Sequence, residues 1–184
     1  MNGVEFLRAQ MAKKPLPVVI VSIASESGEM AINALDAGAV DFIQKPTALA
    51  TEKIFEISEE LIDKVKAAAQ VPLLRLTTAP VPEKIVESPW TLKDRFAGIV
   101  VIGTSTGGPQ ALKQVIPRLP ADFPVPVAIV LHMPVGYTEM YAQKLNELCD
   151  LKGSEAKEGD VLEPGVVLLA PAGRHMKFVD EGGR

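Results

Sequence analysis

The chain alternates short runs of apolar residues with longer segments in which apolar residues recur every three or four positions. Residues 18–23 (VVIVSI) and 99–102 (IVVI) are unbroken, largely β-branched runs, which is typical of strands covered on both faces of a parallel sheet. Residues 49–69 instead place their apolar side chains along one face of a helix. The pattern therefore predicts the α/β fold class, with parallel strands joined by helices.

The first part of the chain is predicted to contain helix, strand, helix, strand and helix, in that order. These elements cover residues 3–11, 18–23, 26–35, 39–43 and 49–69. Gly38 follows the second helix and is expected to end it in a left-handed conformation. This order is that of the last part of a doubly wound α/β unit.

A proline-rich stretch separates this part from the next one. Residues 70–94 contain four prolines and show neither strand alternation nor helical spacing, which indicates an extended and fairly stiff linker. We therefore predict domains at 1–69 and 95–184, with 70–94 between them. The second domain is predicted to be α/β again, although it has few strands for a complete sheet. Strands are expected at 99–102, 125–131, 166–170 and 176–179, and helices at 109–116 and 138–149.

Composition narrows the classes of function. With 184 residues, 47% of them hydrophobic, the chain can bury a globular core. Its 19 basic and 23 acidic residues give a net charge of −4, which argues against nucleic acid as a partner. No apolar run approaches the roughly 18 residues that cross a bilayer, so no membrane insertion is expected. The lone Cys149 fits a reducing, cytoplasmic location and is expected to be a small core residue.

The stretch 103–109 (GTSTGGP) follows an apolar strand directly and carries candidate chemistry. It lacks the lysine of a P-loop and the G-x-G-x-x-G of a dinucleotide site, so nucleotide binding is a minor alternative. Gly103, Ser105 and Gly107 match the G-x-S-x-G pattern in which a sharp strand-to-helix turn exposes a serine. Pro109 suits the first turn of the following helix, whose free amides could stabilise an oxyanion.

A serine nucleophile needs a base, and the chain contains two histidines. His132 ends the next apolar strand, so it is expected at the same sheet edge as Ser105, and we favour it as general base over a structural role. His175 is expected to be structural or to lie at the substrate rim. A carboxylate that orients the imidazole would complete a triad. Asp122 is predicted at the opposite edge of the sheet and Asp150 follows a helix, so neither is a convincing candidate. We therefore expect the chain to lack this orienting carboxylate.

Three features of the first domain resemble the second half of a two-component receiver domain. Met1-Asn2-Gly3 opens a helix, Ser22 closes one strand, and residues 42–46 (FIQKP) close the next. The resemblance implies that Ser22 is the switch hydroxyl, Phe42 the aromatic switch and Lys45 the phosphate-contacting lysine, before a proline that is usually cis. Taken singly, these residues are also common turn chemistry. The family's phosphoacceptor aspartate and metal-binding acids belong upstream of Met1, so the chain is expected to lack a metal site.

The whole arrangement resembles the chemotaxis response-regulator protein-glutamate methylesterases. The segments that carry the resemblance are GTSTGGPQAL, LHMPVGYT and EAKEGDVLEPGVVLLAP. The resemblance implies a receiver that covers a Rossmann-like serine hydrolase, which removes methyl esters from chemoreceptor glutamates and deamidates glutamines without a cofactor. Ser105 then matches the nucleophile and His132 the base. Thr106 matches a neighbouring hydroxyl that can bond the imidazole, and Gly107 is a further residue that supports catalysis.

The same resemblance bears on completeness and partners. The family's triad aspartate lies in a glycine-rich segment beyond this sequence, so the chain is expected to be truncated at both ends. Methyl-accepting chemotaxis receptors are the implied substrates, and a chemotaxis histidine kinase is the implied phosphodonor of the intact protein. The alternative is a non-catalytic module that docks receptor or kinase.

Overall fold

A computed structural model describes residues 2–23, 28–45, 51–72 and 98–179 of the chain. Most of the predicted linker, and Pro46 with its expected cis bond, lie outside the described residues. Every strand pair within the two sheets is parallel, so the predicted α/β class with parallel strands is confirmed. The elements are α1 (Gly3–Lys13), β1 (Val19–Ile23), α2 (Gly28–Asp36), β2 (Asp41–Lys45), α3 (Thr51–Ala69), β3 (Val100–Thr104), α4 (Gly108–Val115), β4 (Val127–Leu131), α5 (Thr138–Asn146), β5 (Lys152–Glu155) and β6 (Val166–Leu169).

The first sheet pairs β1 with β2, and helices α1 to α3 accompany it. Helix α1 begins with a capping box, in which Asn2 and Glu5 each bond the other's backbone N–H. Gly38 follows the last turn of α2 and terminates the helix, because its φ of 105° lets the Ala39 N–H reach the Ala34 carbonyl at 3.0 Å. The predicted role of Gly38 as a helix-ending glycine is therefore confirmed.

The second sheet has the strand order β3-β4-β6-β5. Strand β5 was not predicted from the sequence because its residues (KGSE) are polar and none is β-branched. It lies at the edge of the sheet and has one neighbour, β6, among the described strands. An edge strand needs less apolar burial than a central one, which accounts for the missing signal.

Two predictions in the second part need correction. The strand expected at 176–179 is wrong, because these residues are mostly exposed and no described strand pairs with them. Helix α5 begins at Thr138 as predicted but ends at Asn146 rather than near Cys149. Its end coincides with a hydrogen bond from the Gly153 N–H to the Asn146 side-chain oxygen at 2.7 Å, which draws the start of β5 against it.

The two sheets share one hydrophobic core. Helix α2 packs against α4 and α5, and the aromatic rings of Phe42 and Tyr137 lie 4.8 Å apart at an angle of 44°. Polar contacts reinforce this junction, since Lys113 forms an ion pair with Asp36. Buried side chains from both parts belong to the core, among them Leu7, Ala31, Leu35, Leu112, Ile116, Ile129, Tyr141, Leu145 and Leu169.

A buried ion pair joins α3 to the start of β2. Lys64 Nζ lies 3.1 Å from Asp41 Oδ1 and donates a 2.8 Å bond to the Phe42 carbonyl, and the two side chains are only 4% and 6% exposed. Burial raises the pKa of Asp41, although the Lys64 charge and the Phe42 N–H partly oppose that shift. The Lys64 charge is offset by Asp41 and by Glu60, whose Oε1 lies 3.1 Å from Nζ, whereas the buried Asp41 carboxylate relies on Lys64 as its cation.

Replacing Lys64 by methionine leaves the Asp41 carboxylate buried without its cation. We expect the free energy of unfolding to fall by about 3–5 kcal/mol in a urea titration, as for other broken buried pairs. Lys66→Met is the matched control, because Lys66 is exposed on the same helix and should change that free energy by no more than about 0.5 kcal/mol. Equal urea midpoints for the two variants would contradict this role of the pair.

Candidate active site

The turn after β3 is built to expose Ser105. The chain leaves the sheet at Thr104 and enters α4 at Gly108, and the Gly108 N–H closes the turn on the Ser105 carbonyl at 2.7 Å. Gly107 is the N-cap and has a φ of 76°, in the left-handed region that glycine adopts without strain. Ser105 itself is exposed at the tip of this turn.

His132 stands opposite this turn because of the register of two neighbouring strands. Thr104 pairs with Leu131, and the His132 N–H continues the ladder with a 3.0 Å bond to the Thr104 carbonyl. As a result, Ser105 and His132 each lie one residue beyond a paired position at the carboxyl edge of the sheet. Their side chains meet there, with Ser105 Oγ 3.4 Å from His132 Nδ1.

In the contact between Ser105 and His132, the hydroxyl can donate and the imidazole can accept, as general-base catalysis requires. When the neutral imidazole carries its proton on Nε2, Nδ1 can accept the proton of the Ser105 hydroxyl. The distance of 3.4 Å exceeds the roughly 2.6–3.2 Å of a tight bond. Nucleophile and base are often this far apart before substrate binds. The pair can therefore generate a serine alkoxide once the contact shortens.

The N-terminus of α4 supplies positive potential to the same place. The Gly108 N–H already bonds the Ser105 carbonyl, so α4 contributes here through its dipole, which favours negative charge near the N-terminus. Pro109 lacks an N–H and occupies the first turn, as predicted. A charge that develops on a carbonyl oxygen bound beside Ser105 is thus stabilised by the start of α4.

Thr106 lies in the same turn but has a different neighbour. Its side chain hydrogen-bonds the Asp41 carboxyl, which also receives the Phe42 N–H at 2.7 Å. Its expected bond to the imidazole therefore stays a prediction. Sequence reasoning missed Asp41, and the available signal was an acidic residue among the buried residues at the start of β2.

The other candidates for the second domain lie away from the pair. Asp122 is exposed in the turn that enters β4, at the amino edge of the sheet, where it was expected. Asp150 and His175 are also exposed, in the loops before β5 and after β6. No Asp or Glu side chain among the residues the structure describes bonds the His132 ring.

Cys149 has the properties of a structural residue. It is partly buried beyond the end of α5, and its thiol donates to the Leu151 carbonyl at 3.3 Å. Burial raises the pKa of this thiol, so the reactive thiolate is scarce at neutral pH. This agrees with the expectation of a small packing residue.

The receiver-like candidates gather at the carboxyl edge of the first sheet. Ser22 pairs with Gln44 in register and Lys45 with the next residue of β1, so the hydroxyl and the lysine end neighbouring strands. Lys45 is exposed, whereas Phe42 is buried against Tyr137. Their proposed roles as switch residues stay predictions.

The described ranges show neither grouped metal ligands nor a helix suited to a membrane. Among residues 2–23, 28–45, 51–72 and 98–179, no three His, Cys, Asp or Glu side chains are grouped as metal ligands would be. Over the same ranges, none of the helices combines the length and the apolar character needed to cross a bilayer.

The sheet and the side chains at its carboxyl edge define a class of protein. A parallel α/β sheet with a serine and a histidine at its carboxyl edge defines an α/β protein with a hydrolase-type site. Residues 100–183 match the family described as CheB methylesterase. This segment is somewhat less than half of the 184-residue chain, and over it the chain is similar to CheB methylesterases.

Similarity to individual relatives extends over nearly the whole chain. The chain is 45% identical over 183 residues to "protein-glutamate methylesterase/protein-glutamine glutaminase 5" of Myxococcus xanthus, covering 99% of this chain and 52% of that protein. It is 43% identical over 179 residues to the protein-glutamate methylesterase/protein-glutamine glutaminase of Halalkalibacterium halodurans, covering 96% of this chain and 51% of that protein. The chain thus spans about half the length of these relatives. The chain also matches the crystal structure of the Thermotoga maritima CheB methylesterase catalytic domain, with 42% sequence identity and a TM-score of 0.46. This match covers 48% of this chain and 47% of that one.

Gly108 is packed closely against side chains beneath the Ser105 turn. A Cβ at this position would collide with the Thr104 side chain and come within 2.9 Å of Leu131 Cδ1. We expect Gly108→Ala to lower the free energy of unfolding by about 1–3 kcal/mol, measured by urea titration.

Gly103→Ala is the matched control, because a Cβ at Gly103 meets nothing within 4 Å and its φ is not in the left-handed region. It should unfold within about 0.5 kcal/mol of the unmodified chain, apart from the intrinsic preference of the backbone. A Gly108→Ala protein as stable as Gly103→Ala would show that the turn has room to relax.

Proposed function

We propose that the chain is part of a protein-glutamate methylesterase/protein-glutamine glutaminase that acts on methyl-accepting chemotaxis receptors. The contact between Ser105 Oγ and His132 Nδ1 at the carboxyl edge of the sheet is the observation that supports this most strongly. The names of relatives at 40–45% identity support the same activity. Because the chain spans about half of these relatives, the activity is proposed for the whole protein.

The proposed reaction is acyl transfer through Ser105. His132 Nδ1 takes the proton of the Ser105 hydroxyl while Oγ attacks the carbonyl carbon of the glutamyl methyl ester. The tetrahedral intermediate collapses, and methanol leaves with the proton returned by His132. Water, activated by the same imidazole, then hydrolyses the acyl-enzyme to a free glutamate. With a glutamine side chain, ammonia leaves in place of methanol.

Helix α4 supplies the proposed stabilisation of the intermediate. The oxygen of the substrate carbonyl gains charge only as the tetrahedral intermediate forms, so the positive end of α4 binds that state more tightly than the substrate. Gly107 supports this arrangement by keeping the turn free of a side chain. No cofactor is needed for any step.

We also propose that residues 1–69 are part of a regulatory receiver domain, joined by the linker at 70–94 to a methylesterase domain at 95–184. Ser22, Phe42 and Lys45 would then report phosphorylation by a chemotaxis histidine kinase in the whole protein. The Phe42–Tyr137 contact supports a route to the site, because Tyr137 lies in the loop that begins at His132. The lone Cys149 fits action in the cytoplasm.

Labelling with a serine-reactive phosphonate tests the proposal on this chain directly. We expect one adduct by intact mass, located at Ser105, because activation of the hydroxyl needs only the neighbouring imidazole. Ser105→Ala should abolish labelling, and His132→Gln should slow it at least about 100-fold, since general-base catalysis contributes about 10²–10⁴-fold. His175→Gln is the matched control and should label at the unmodified rate.

Turnover is the second measurement. Methanol release from a methylated chemoreceptor fragment is expected to be slow with this chain, because losing an orienting carboxylate lowers kcat by about 10⁴. A longer protein that supplies such a carboxylate should release methanol rapidly, and Ser105→Ala should stop it. Receptor binding without labelling or methanol release in either protein would replace the esterase proposal by the docking module.

A further inference from the structure

Helix α5 carries two buried hydroxyl groups on one face. Thr138 is its first residue and is 1% exposed, and Tyr141 follows three residues later with 0% exposure. Residues at this spacing lie one above the other on a helix. Neither hydroxyl bonds Ser105 or His132, yet each one bonds a segment that builds the site.

The Thr138 hydroxyl joins three elements at the carboxyl edge of the second sheet. It donates to the Glu155 carboxylate, at the end of β5, and accepts the Ala172 N–H at 3.2 Å, in the loop after β6. That loop also lies against the segment following His132, since a Cβ at Gly173 would come within 3.1 Å of Val135. Thr138 therefore fixes the C-terminal end of the loop that carries the base.

The Tyr141 hydroxyl reaches in the other direction. It donates to the Pro109 carbonyl at 2.7 Å, in the first turn of α4 and four residues from Ser105. Burial raises the pKa of Tyr141 above its ordinary value, so the phenol remains protonated and can donate at neutral pH. Tyr141 therefore fixes the start of the helix that follows the nucleophile turn.

Helix α5 is thus bonded to both sides of the catalytic pair. Its first turn is tied to the loop of His132 through Thr138, and its second turn is tied to the helix of Ser105 through Tyr141. The direct link between the two sides is the backbone bond from the His132 N–H to the Thr104 carbonyl. That bond sets where the two strands end. The hydrogen bonds to α5 restrict the positions of the Ser105 turn and the His132 loop beyond the strands.

We propose that Thr138 and Tyr141 are positioning residues that set the approach of Ser105 Oγ to His132 Nδ1. This inference rests on the proposed serine hydrolase function. The distance in the structure is at the outer limit for proton transfer, so a small shift of either segment separates the two groups. A misplacement of about 1 Å can reduce a rate about 100-fold.

The test compares labelling of Ser105 by the phosphonate in variants of the 184-residue chain. Tyr141→Phe removes only the phenolic oxygen, and Thr138→Val replaces the hydroxyl by a methyl group of similar size. We expect each to slow labelling by about tenfold or more, while Thr138→Ser, which keeps the hydroxyl, restores a rate close to that of the unmodified chain.

Leu145→Val is the matched control for stability. Leu145 is buried on the same helix, one turn beyond Tyr141, and it has no polar group to lose. It should lower the urea midpoint yet label at the unmodified rate under conditions where every variant is folded. The pair of readouts separates positioning from simple support of the fold, because a purely structural role would leave the labelling rate of the folded protein unchanged.

Three outcomes would overturn the inference. Equal labelling rates for Tyr141→Phe, Thr138→Val and the unmodified chain would show that neither hydroxyl positions the pair, with the proposed function intact. Slower labelling of Leu145→Val by the same factor would show that the hydroxyls act through stability alone. Absence of labelling in the unmodified chain would instead remove the proposed function on which the inference rests. If Thr138→Val does not fold, Tyr141→Phe and Thr138→Ser still decide the question.

Discussion

The candidate site depends on one backbone hydrogen bond, from the His132 N–H to the Thr104 carbonyl. It is the last rung of the ladder between β3 and β4, and it sets the point at which the two chains diverge. Because the strands are parallel, both leave the sheet at the same edge, and the next side chains stand beside each other. A shift of one residue in this register would turn one of the two side chains to the other face of the sheet.

The helices that follow these strands extend this constraint into the body of the protein. A parallel connection requires a crossover, and α4 and α5 supply the two that flank β4. Both helices bury side chains in the core that also contains α2 of the first sheet. The turn that carries Ser105 is therefore supported from below by its own sheet and from the side by the other part of the chain, with Phe42 and Tyr137 in contact at the junction.

Much of the architecture could be predicted from the sequence because burial and periodicity decide it locally. The β-branched runs gave β1, β3 and β4 to within two residues at either end, and Gly38 and Pro109 take the helix-terminal positions their chemistry favours. Strand β5 could not be predicted, since its polar residues are held in the sheet by backbone pairing with β6. Residues 176–179 show the reverse case, because their sequence is typical of a strand but no described strand pairs with them.

The candidate site could also be predicted from the sequence only in part. The meeting of Ser105 and His132 follows from strand order and handedness, which a sequence pattern can indicate. The environment around them depends on contacts between residues far apart in the chain. Asp41 beside Thr106 and Tyr141 beneath Pro109 are examples, and neither has a signature of its own in sequence.

The Gln110 side chain links the two parts of the chain at their junction. Gln110 lies in the first turns of α4, and its amide donates to the Leu35 carbonyl and, at 2.9 Å, to the Ala39 carbonyl. The Leu35 carbonyl lies in the last turn of α2 and the Ala39 carbonyl lies just beyond it, so a residue five positions after Ser105 bonds the end of a helix in the other part of the chain. Unwinding the last turn of α2 leaves that amide without its partners, and withdrawing α4 exposes those carbonyls. An opening that separates α2 from α4 must therefore break both hydrogen bonds of Gln110.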